Sequence, residues 1–427
     1  MLEFLSSDPR FIELEQKIVS TITNAATTAK AVKVYREMQS LIPDWTFIFA
    51  SSSGVTPGLT VNKLFSCGAA VVSPFSSDKV WILDSKTLYE MDYNGQAKLK
   101  IDYSIALDTQ AMSYLVPFLG TGSDKLPKDM GEVFAFLAQD NVFVDPMPYV
   151  IENLEKINSD EGRQKIINNI AAYEKFRNMD TGHFNLHGVV QAKLTDLELQ
   201  QSAETFVNGI YKTPDFADHV GNVEYRQKIM FVILLKTVAI QLIHPSWSHY
   251  KKVSSLLDFM NDRLNCIFPR EVITASKYFL YGQKFSFFSR IQRNKLLSEI
   301  LSELSTMSWD YWHIRHIEES MSLRPDISGG YFFTALLTFD KRYIELLSSC
   351  PLQAYATKPG KGFPHPVYTG PMFGEGTTSF EAELHARYFN ESALKNRMAN
   401  ISNTWLKKEL PGLEAELIEV LTTICKS

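Results

Sequence analysis

Four segments of this chain carry a carboxylate where a purely solvated acid is not expected. Asp108 and Asp340 each follow an apolar run, Glu152 comes shortly after two prolines, and Asp310 shares a helical face with apolar residues. Carboxylate oxygens are the ligands that Mg²⁺ and Mn²⁺ prefer. Because clustered acids repel one another, their convergence in one fold is costly without a cation. If the four acids meet, the chemistry open to them is that of a divalent metal site, phosphodiester hydrolysis included.

Two apolar runs are expected to position the first and last of these acids. Residues 99–107 and 332–339 predict β-strands, and each run is followed by an acid and then by a helical pattern. This order is typical of a parallel sheet, in which ligands bind beyond the carboxyl ends of the strands. We therefore expect Asp108 and Asp340 at one edge of a shared sheet.

Helices are predicted to carry the other two acids. Pro146 and Pro148 favour a helix start, which leaves Glu152 in the next turn. Asp310 is followed on its own helical face by three apolar residues, namely Ile314, Ile317 and Met321. Its carboxylate is therefore expected at the end of an apolar stripe that faces inward.

In four places the chain resembles the PIN-domain nucleases. The matching runs, in the order of that family, are ALDTQAMSYL, PYVIENLEK, WDYWHIRHIE and LLTFDKRYIEL, within residues 100–157 and 270–350. The resemblance implies an α/β fold with a PIN-like parallel sheet flanked by helices. The chain departs from the family pattern at Gln110, where Asn or Ser is common. The long gap between Glu152 and Asp310 implies a large, all-helical insertion.

The resemblance also implies a metal-dependent nuclease. One or two Mg²⁺ or Mn²⁺ ions would be held by Asp108, Glu152, Asp310 and Asp340, and water activated there would attack the phosphorus. Thr109 and Thr338 would not bind the metal themselves but would orient the neighbouring carboxylates by hydrogen bonds. RNA is favoured over DNA as the substrate, because relatives include ribonuclease toxins and RNA-processing enzymes.

Basic side chains near these acids are candidates for binding the substrate. They are Lys341, Arg342, Arg315 and His316. His313 and His316 lie three residues apart on one predicted helix, and surface histidines are the plainer interpretation. Residues 284–295 interleave cations with phenylalanines, which suits single-stranded nucleic acid. A half-buried amphipathic helix explains this segment equally well.

Each acid also has a plain structural interpretation. Asp is a favoured N-cap, which fits Asp108 and Asp340, whereas Glu152 and Asp310 would be acids near helix starts. Asp84 also ends a β-like run and is a rival for the first catalytic position. A weaker candidate for a metal site is a triplet with helix-compatible spacing, Asp180, His183 and His187.

Composition limits the class of protein. The 427 residues include 43 Lys and Arg against 48 Asp and Glu, a net charge of −5 that excludes a generally basic nucleic-acid coat. Four distant cysteines without CxxC spacing argue against a zinc ribbon or a disulfide framework. The N-terminus lacks a signal-peptide layout, and the longest apolar run, residues 229–243, is interrupted by Lys236. We expect a buried helix there, a cytoplasmic protein and no membrane partner.

The pattern divides the chain into five segments. An N-terminal α+β region covers residues 1–98, a PIN-like core covers 99–157 and 270–350, a helical insertion covers 158–269, and a C-terminal loop with helices covers 351–427. A homo-oligomer or a regulatory partner would fit the additional regions.

Two other functions remain open. The first is a non-catalytic PIN-like module that binds nucleic acid or a partner protein, and the presence of all four acids argues against it. The second is a metal-dependent phosphatase that acts on nucleotides, which substrate size would distinguish from a nuclease.

Overall fold

The computed structural model describes residues 9–55, 62–99, 101–119, 126–139, 142–187, 189–321, 331–358, 364–400 and 403–425. The strands are β1 (Thr46–Val55), β2 (Lys63–Leu64), β3 (Ala70–Val72), β4 (Val80–Leu83), β5 (Ile101–Leu107), β6 (Phe143–Asp145), β7 (Tyr331–Thr338), β8 (Leu352–Thr357) and β9 (His365–Tyr368). The helices of the first half are α1 (Pro9–Thr23), α2 (Thr28–Met38), α3 (Ser85–Asn94), α4 (Thr109–Leu119), α5 (Met130–Leu137), α6 (Met147–Glu152), α7 (Asp160–Arg177), α8 (Thr181–His187) and α9 (Asp196–Tyr211). Those of the second half are α10 (Phe216–Ile243), α11 (His249–Phe259), α12 (Pro269–Tyr281), α13 (Leu297–Ser320), α14 (Lys341–Ser349), α15 (Glu381–Tyr388), α16 (Glu391–Asn400) and α17 (Asn403–Thr422).

A mixed sheet with the strand order β2-β3-β7-β5-β6 positions the candidate site. Strands β7, β5 and β6 are parallel, and Leu107 pairs with Leu337, so β5 and β7 end at the same edge. The expectation that both strands share one sheet is therefore confirmed. Strand β3 runs antiparallel to β7, and β2 antiparallel to β3. The α/β class is confirmed, but a purely parallel, PIN-like sheet is not.

Both faces of the two central strands are buried. Ile105 and Leu107 pack into the core that includes α4 and α7, whereas Ala106 and Leu336 pack into the core that includes α10 and α13. Parallel strands covered on both faces tend to have apolar residues at successive positions. The stretches Ile105–Leu107 of β5 and Ala335–Leu337 of β7 have this pattern and made the two strands recognisable in the sequence.

A second, antiparallel sheet joins the two ends of the chain. Its order is β4-β1-β8-β9, so strands from the N-terminal region pair with strands that follow residue 351. The sequence analysis assigned a loop with helices to residues 351–427, so β8 and β9 were both missed. Pro366 is accommodated because β9 is an edge strand. The five-segment division of the chain stays a prediction.

The long helix α10 contains the apolar run that the sequence placed in a buried helix. Its residues Ile233, Leu235 and Val238 are buried in the core against α13 and α17, which confirms that prediction. Among the described residues, no helix is long and apolar enough to cross a membrane.

Candidate active site

Asp108 and Asp340 lie just beyond the ends of the two central parallel strands. One carboxylate oxygen of Asp108 accepts a hydrogen bond of 2.6 Å from the backbone N–H of Ala111, in the first turn of α4. Asp340 accepts a bond of 2.8 Å from the backbone N–H of Arg342 and is the N-cap of α14. Both acids therefore cap helices as well as facing the edge of the sheet.

The buried hydroxyl of Thr338 connects these two segments. It accepts a hydrogen bond of 3.2 Å from the backbone N–H of Asp340, and it lies close enough to the Asp108 side chain to lower the pKa of that carboxyl. Thr338 is at the last position of β7, beside the end of β5. One side chain thus fixes the geometry of two strand ends.

Glu152 reaches the same edge from the end of a short helix. It is the last of the six residues of α6, in the turn after the helix start as predicted, and a 3₁₀ segment follows. The plain interpretation as an acid at the helix start is wrong. Its Oε2 accepts a hydrogen bond from the hydroxyl of Thr109, which in turn accepts a bond of 3.3 Å from the amide of Asn153. Thr109 thereby ties Glu152 to the start of α4.

His313 is the neighbour of Glu152 that the sequence interpretation missed. Its Nε2 is 3.4 Å from Glu152 Oε2, an ion-pair distance without hydrogen-bond geometry. The side chain is only 3% exposed, so the interpretation as a surface histidine is wrong. The available signal was its position three residues after Asp310, which places the two on neighbouring positions of one helix face.

Asp310 lies in the middle of α13 and not near a helix start, contrary to expectation. The helix begins at Leu297, thirteen residues before the acid. An aspartate in a helix interior gains nothing from capping and has a low helix propensity. The backbone carbonyl of Asp310 accepts a hydrogen bond of 3.0 Å from the hydroxyl of Tyr343 on α14, which ties α13 to the segment after Asp340.

The electrostatics show that the four acids share one environment. Burial raises the pKa of Asp310 well above its usual value, and the carboxylates of Asp340, Asp108 and Glu152 raise that pKa further. Burial likewise raises the pKa of Asp108 to about 6, with a further contribution from Glu152, although the Ala111 N–H, His313 and Thr338 oppose the shift. The four-acid cluster (Asp108, Glu152, Asp310 and Asp340) therefore brings like charges together.

The other two acids are held in the charged form. Burial raises the pKa of Glu152, but His313, Thr109 and Lys156 outweigh burial and lower that pKa below its usual value. Burial also raises the pKa of Asp340, but the contacts with Arg342 outweigh burial and lower that pKa below its usual value. The cluster thus combines two carboxylates that are stable as anions with two whose negative charge is costly.

The carboxylates are at present bound to separate partners. Across the part of the chain that the structure describes, no group of three or more His, Cys, Asp or Glu side chains is arranged as a ready-made metal site. Asp108 is turned to the α4 backbone, Glu152 to Thr109, and Asp340 to the Arg342 guanidinium, 2.7 Å away. Ion binding would require these side chains to turn toward one another.

Two of the four basic candidates are not brought to the cluster. Arg315 donates to Glu271 at 2.6 Å and to Glu318 at 3.1 Å, within a buried ionic group that also contains Arg270. His316 stacks on Trp312 with ring centroids 5.0 Å apart, and burial, followed by nearby cations, lowers its pKa to about 4. A neutral imidazole at pH 7 offers no charge to a phosphate.

The other two basic candidates follow Asp340 directly. Arg342 bonds to Asp340 and lies 3.5 Å from Glu303, whereas Lys341 is exposed. Lys358 pairs with Glu15 at 2.8 Å, and residues 359–363 of its loop lie outside the described residues.

The rival sites have structural explanations. Asp84 forms a capping box with Thr87 at the start of α3 and accepts a bond of 2.8 Å from the hydroxyl of Tyr331. Asp180 accepts the backbone N–H of His183 as a helix cap. The phenylalanines of the basic segment are core residues and not stacking surfaces; they are Phe285, Phe287 and Phe288.

Comparison of the chain with family models, with curated proteins and with solved structures finds no match. The resemblance to PIN-domain nucleases therefore depends on the four quoted runs alone and stays a prediction.

Proposed function

We propose that the protein is a metal-dependent nuclease that hydrolyses phosphodiester bonds at the four-acid cluster. The observation that carries the proposal is the position of Asp310, half-buried in mid-helix near three further carboxylates that raise its pKa. A buried acid surrounded by like charge destabilises a fold unless a cation compensates for it. Neither capping nor the helix dipole explains an acid at this position.

The donor set suits a hard divalent cation. The four acids follow β5, end α6, lie within α13 and follow β7, and carboxylate oxygens are typical ligands of Mg²⁺ or Mn²⁺. One or two such ions would be held by Asp108, Glu152, Asp310 and Asp340. When bound, the ion polarises a phosphoryl oxygen and lowers the pKa of a coordinated water.

The surrounding side chains orient these ligands. Thr109 holds Glu152 through its hydroxyl, and Thr338 holds Asp108 relative to Asp340. Arg342 offsets part of the charge of Asp340. Such outer partners commonly change metal affinity by about 10- to 100-fold when they are removed.

The proposed substrate is single-stranded nucleic acid, with RNA preferred over DNA as the resemblance implies. Lys341 and Arg342 are the retained candidates for contacting its phosphates. Arg315 and His316 are withdrawn from this set, because Arg315 is neutralised by two buried glutamates and His316 carries no charge at neutral pH.

The proposal is tested by incubating labelled single-stranded RNA and DNA with the protein in Mn²⁺, Mg²⁺ or EDTA. Asp108→Asn and Asp340→Asn are compared with the wild type, and Asp84→Asn is the matched control. Asp84 also follows a strand and caps a helix, but it lies outside the cluster. We expect cleavage that requires metal, is lost in both cluster variants and persists in the control.

Loss of cleavage in Asp84→Asn with retention in both cluster variants would place the active site elsewhere. Absence of cleavage of both polymers by the folded wild type in Mn²⁺ would reject the nuclease. The non-catalytic binding module would then be the better account, whereas release of phosphate from mononucleotides alone would favour the phosphatase.

A further inference from the structure

The turn between β2 and β3 lies at the same edge of the sheet as the four-acid cluster. Ala70 of β3 pairs with Thr338 of β7 in an antiparallel ladder, so the residues just before Ala70 extend past the end of β7. This turn, residues 65–69, therefore lies next to the segment that carries Asp340 and Lys341. The N-terminal region thus supplies part of the rim of the candidate site.

Two acids of the neighbouring segment hold this turn in place. Asp129 accepts hydrogen bonds from the backbone N–H groups of Cys67, at 3.1 Å, and Ala69, at 3.0 Å. Glu132 accepts a further bond of 3.1 Å from the N–H of Ser66. With its amides satisfied in this way, the turn is a fixed surface against which other groups can pack.

Gly68 is the point where Lys341 meets this surface. A Cβ atom at Gly68 would lie 2.6 Å from Lys341 Cε and 3.3 Å from its Nζ. The glycine has a φ of +107°, which L side chains rarely adopt. The missing side chain thus leaves the space that the end of Lys341 occupies.

The charge of Lys341 is not used within the described part of the protein. Asp340 is paired with Arg342, and no carboxylate of the described residues forms an ion pair with Lys341. Lys341 is exposed and is not paired with any acid of the cluster. It is available for an anionic group that lies along the rim.

We propose that the 65–69 turn and Lys341 form a side wall that binds a backbone phosphate of the nucleic acid, and that Gly68 positions Lys341 for this contact. The inference rests on the proposed function and names a second contact for the same substrate, beyond the bond that is cut. Gly68 is a positioning residue, because it acts through Lys341.

The test is binding of a fluorescently labelled oligouridylate, followed by anisotropy over a range of salt concentrations. Every variant is made in the full-length Asp108→Asn protein, so that no cleavage intervenes. Lys341→Gln and Gly68→Ala should each weaken binding by about fivefold, the size of one exposed ion pair. Each should also reduce the slope of log K against log salt by about 0.7, the effect of one phosphate contact with a single strand.

The double variant Gly68→Ala/Lys341→Gln should bind no more weakly than Lys341→Gln alone, since both changes remove the same contact. Gly95→Ala is the matched control for backbone strain. Gly95 has a φ of +71° with open space around the Cβ position, so its substitution should lower stability without changing the salt slope. The overlap in Gly68→Ala is with the flexible end of a lysine, which can move, so this variant should fold.

An unchanged affinity and slope in Gly68→Ala, with both reduced in Lys341→Gln, would refute the positioning role. Unchanged values in both variants would refute the wall. These outcomes are separate from failure of the nuclease proposal. If the wild type cleaves nothing but the Lys341 and Gly68 substitutions weaken binding as expected, the side wall is supported and the hydrolytic proposal is rejected. If the wild type cleaves but neither substitution changes the salt slope, the nuclease proposal is supported and the side wall is rejected.

Discussion

Replacing Asp108 by Asn should stabilise the metal-free protein at neutral pH. Asn is isosteric with Asp, and its oxygen can still accept the backbone N–H of Ala111 and cap α4. What the substitution removes is a negative charge at a half-buried site near Glu152 and Asp310. If the acid served only as a cap, neutralising it would bring no gain.

The magnitude follows from the pKa of Asp108. That pKa is raised from 3.8 to about 6, and a difference of about two units corresponds to about 3 kcal/mol. Because the pKa is raised in the folded state, the folded protein binds more protons than the unfolded chain between about pH 4 and pH 6. The associated stability is fully present below about pH 4 and is lost as the pH rises through about 6.

The assay is unfolding in EDTA at pH 7 and again near pH 4, by denaturant or by heat. The variant should gain up to about 3 kcal/mol at pH 7, and the gain should shrink toward zero near pH 4. Asp84→Asn, which changes a cap outside the cluster that also accepts the Tyr331 hydroxyl, should show no gain at pH 7. A loss of stability in Asp108→Asn that is equal at both pH values would refute the electrostatic reasoning.

Three further outcomes are expected. Mn²⁺ should raise the thermal unfolding midpoint of the wild type and leave that of Asp310→Asn unchanged, as measured by differential scanning fluorimetry. An equal shift in both proteins would show that the ion binds elsewhere. Thr109→Val should weaken Mn²⁺ binding by about 10-fold or more, because Glu152 loses its hydroxyl partner, and Thr109→Ser should restore it in the same calorimetric titration. Arg315→Gln should cost about 3 kcal/mol of folding stability, because Glu271 is left buried without its cation. The affinity for an oligonucleotide should stay unchanged. Weaker oligonucleotide binding with unchanged stability would return Arg315 to the substrate site.

The sequence identified the strand-end acids because β5 and β7 each end in an apolar stretch that an acid follows. Those acids had to lie at one edge once both strands were parallel. The helix in which Asp310 lies was also recognisable, because its apolar residues recur at helical spacing.

Other parts of the site depend on contacts between distant segments. The position of His313 beside Glu152 follows from the packing of α13 against α6, which spacing along one helix does not report. Residues 69–73 form a short β-rich run that contains β3, but β2 and β3 have only two and three residues, and their antiparallel pairing at the margin of the sheet could not be predicted. Arg315 looked available because its partner Glu271 is 44 residues away in the chain.

The ends of elements were also decided by local competition. Glu152 closes α6 because the backbone continues as a 3₁₀ segment, in which the N–H of Asn153 already bonds to two earlier carbonyls. The helix around Asp310 begins earlier than expected, because Leu296, the N-cap residue of α13, has no capping side chain that would mark the helix start in the sequence.

The most direct test of the central claim is the anomalous scattering of Mn²⁺ in crystals of the wild-type protein soaked with that ion. The account predicts one or two anomalous peaks enclosed by Asp108, Glu152, Asp310 and Asp340, with the carboxylates of Asp108, Glu152 and Asp340 turned from their present partners toward the ion. It also predicts that these peaks are absent in Asp310→Asn. Mn²⁺ peaks only at other surfaces, or an unchanged peak in Asp310→Asn, would contradict a metal site at the four-acid cluster.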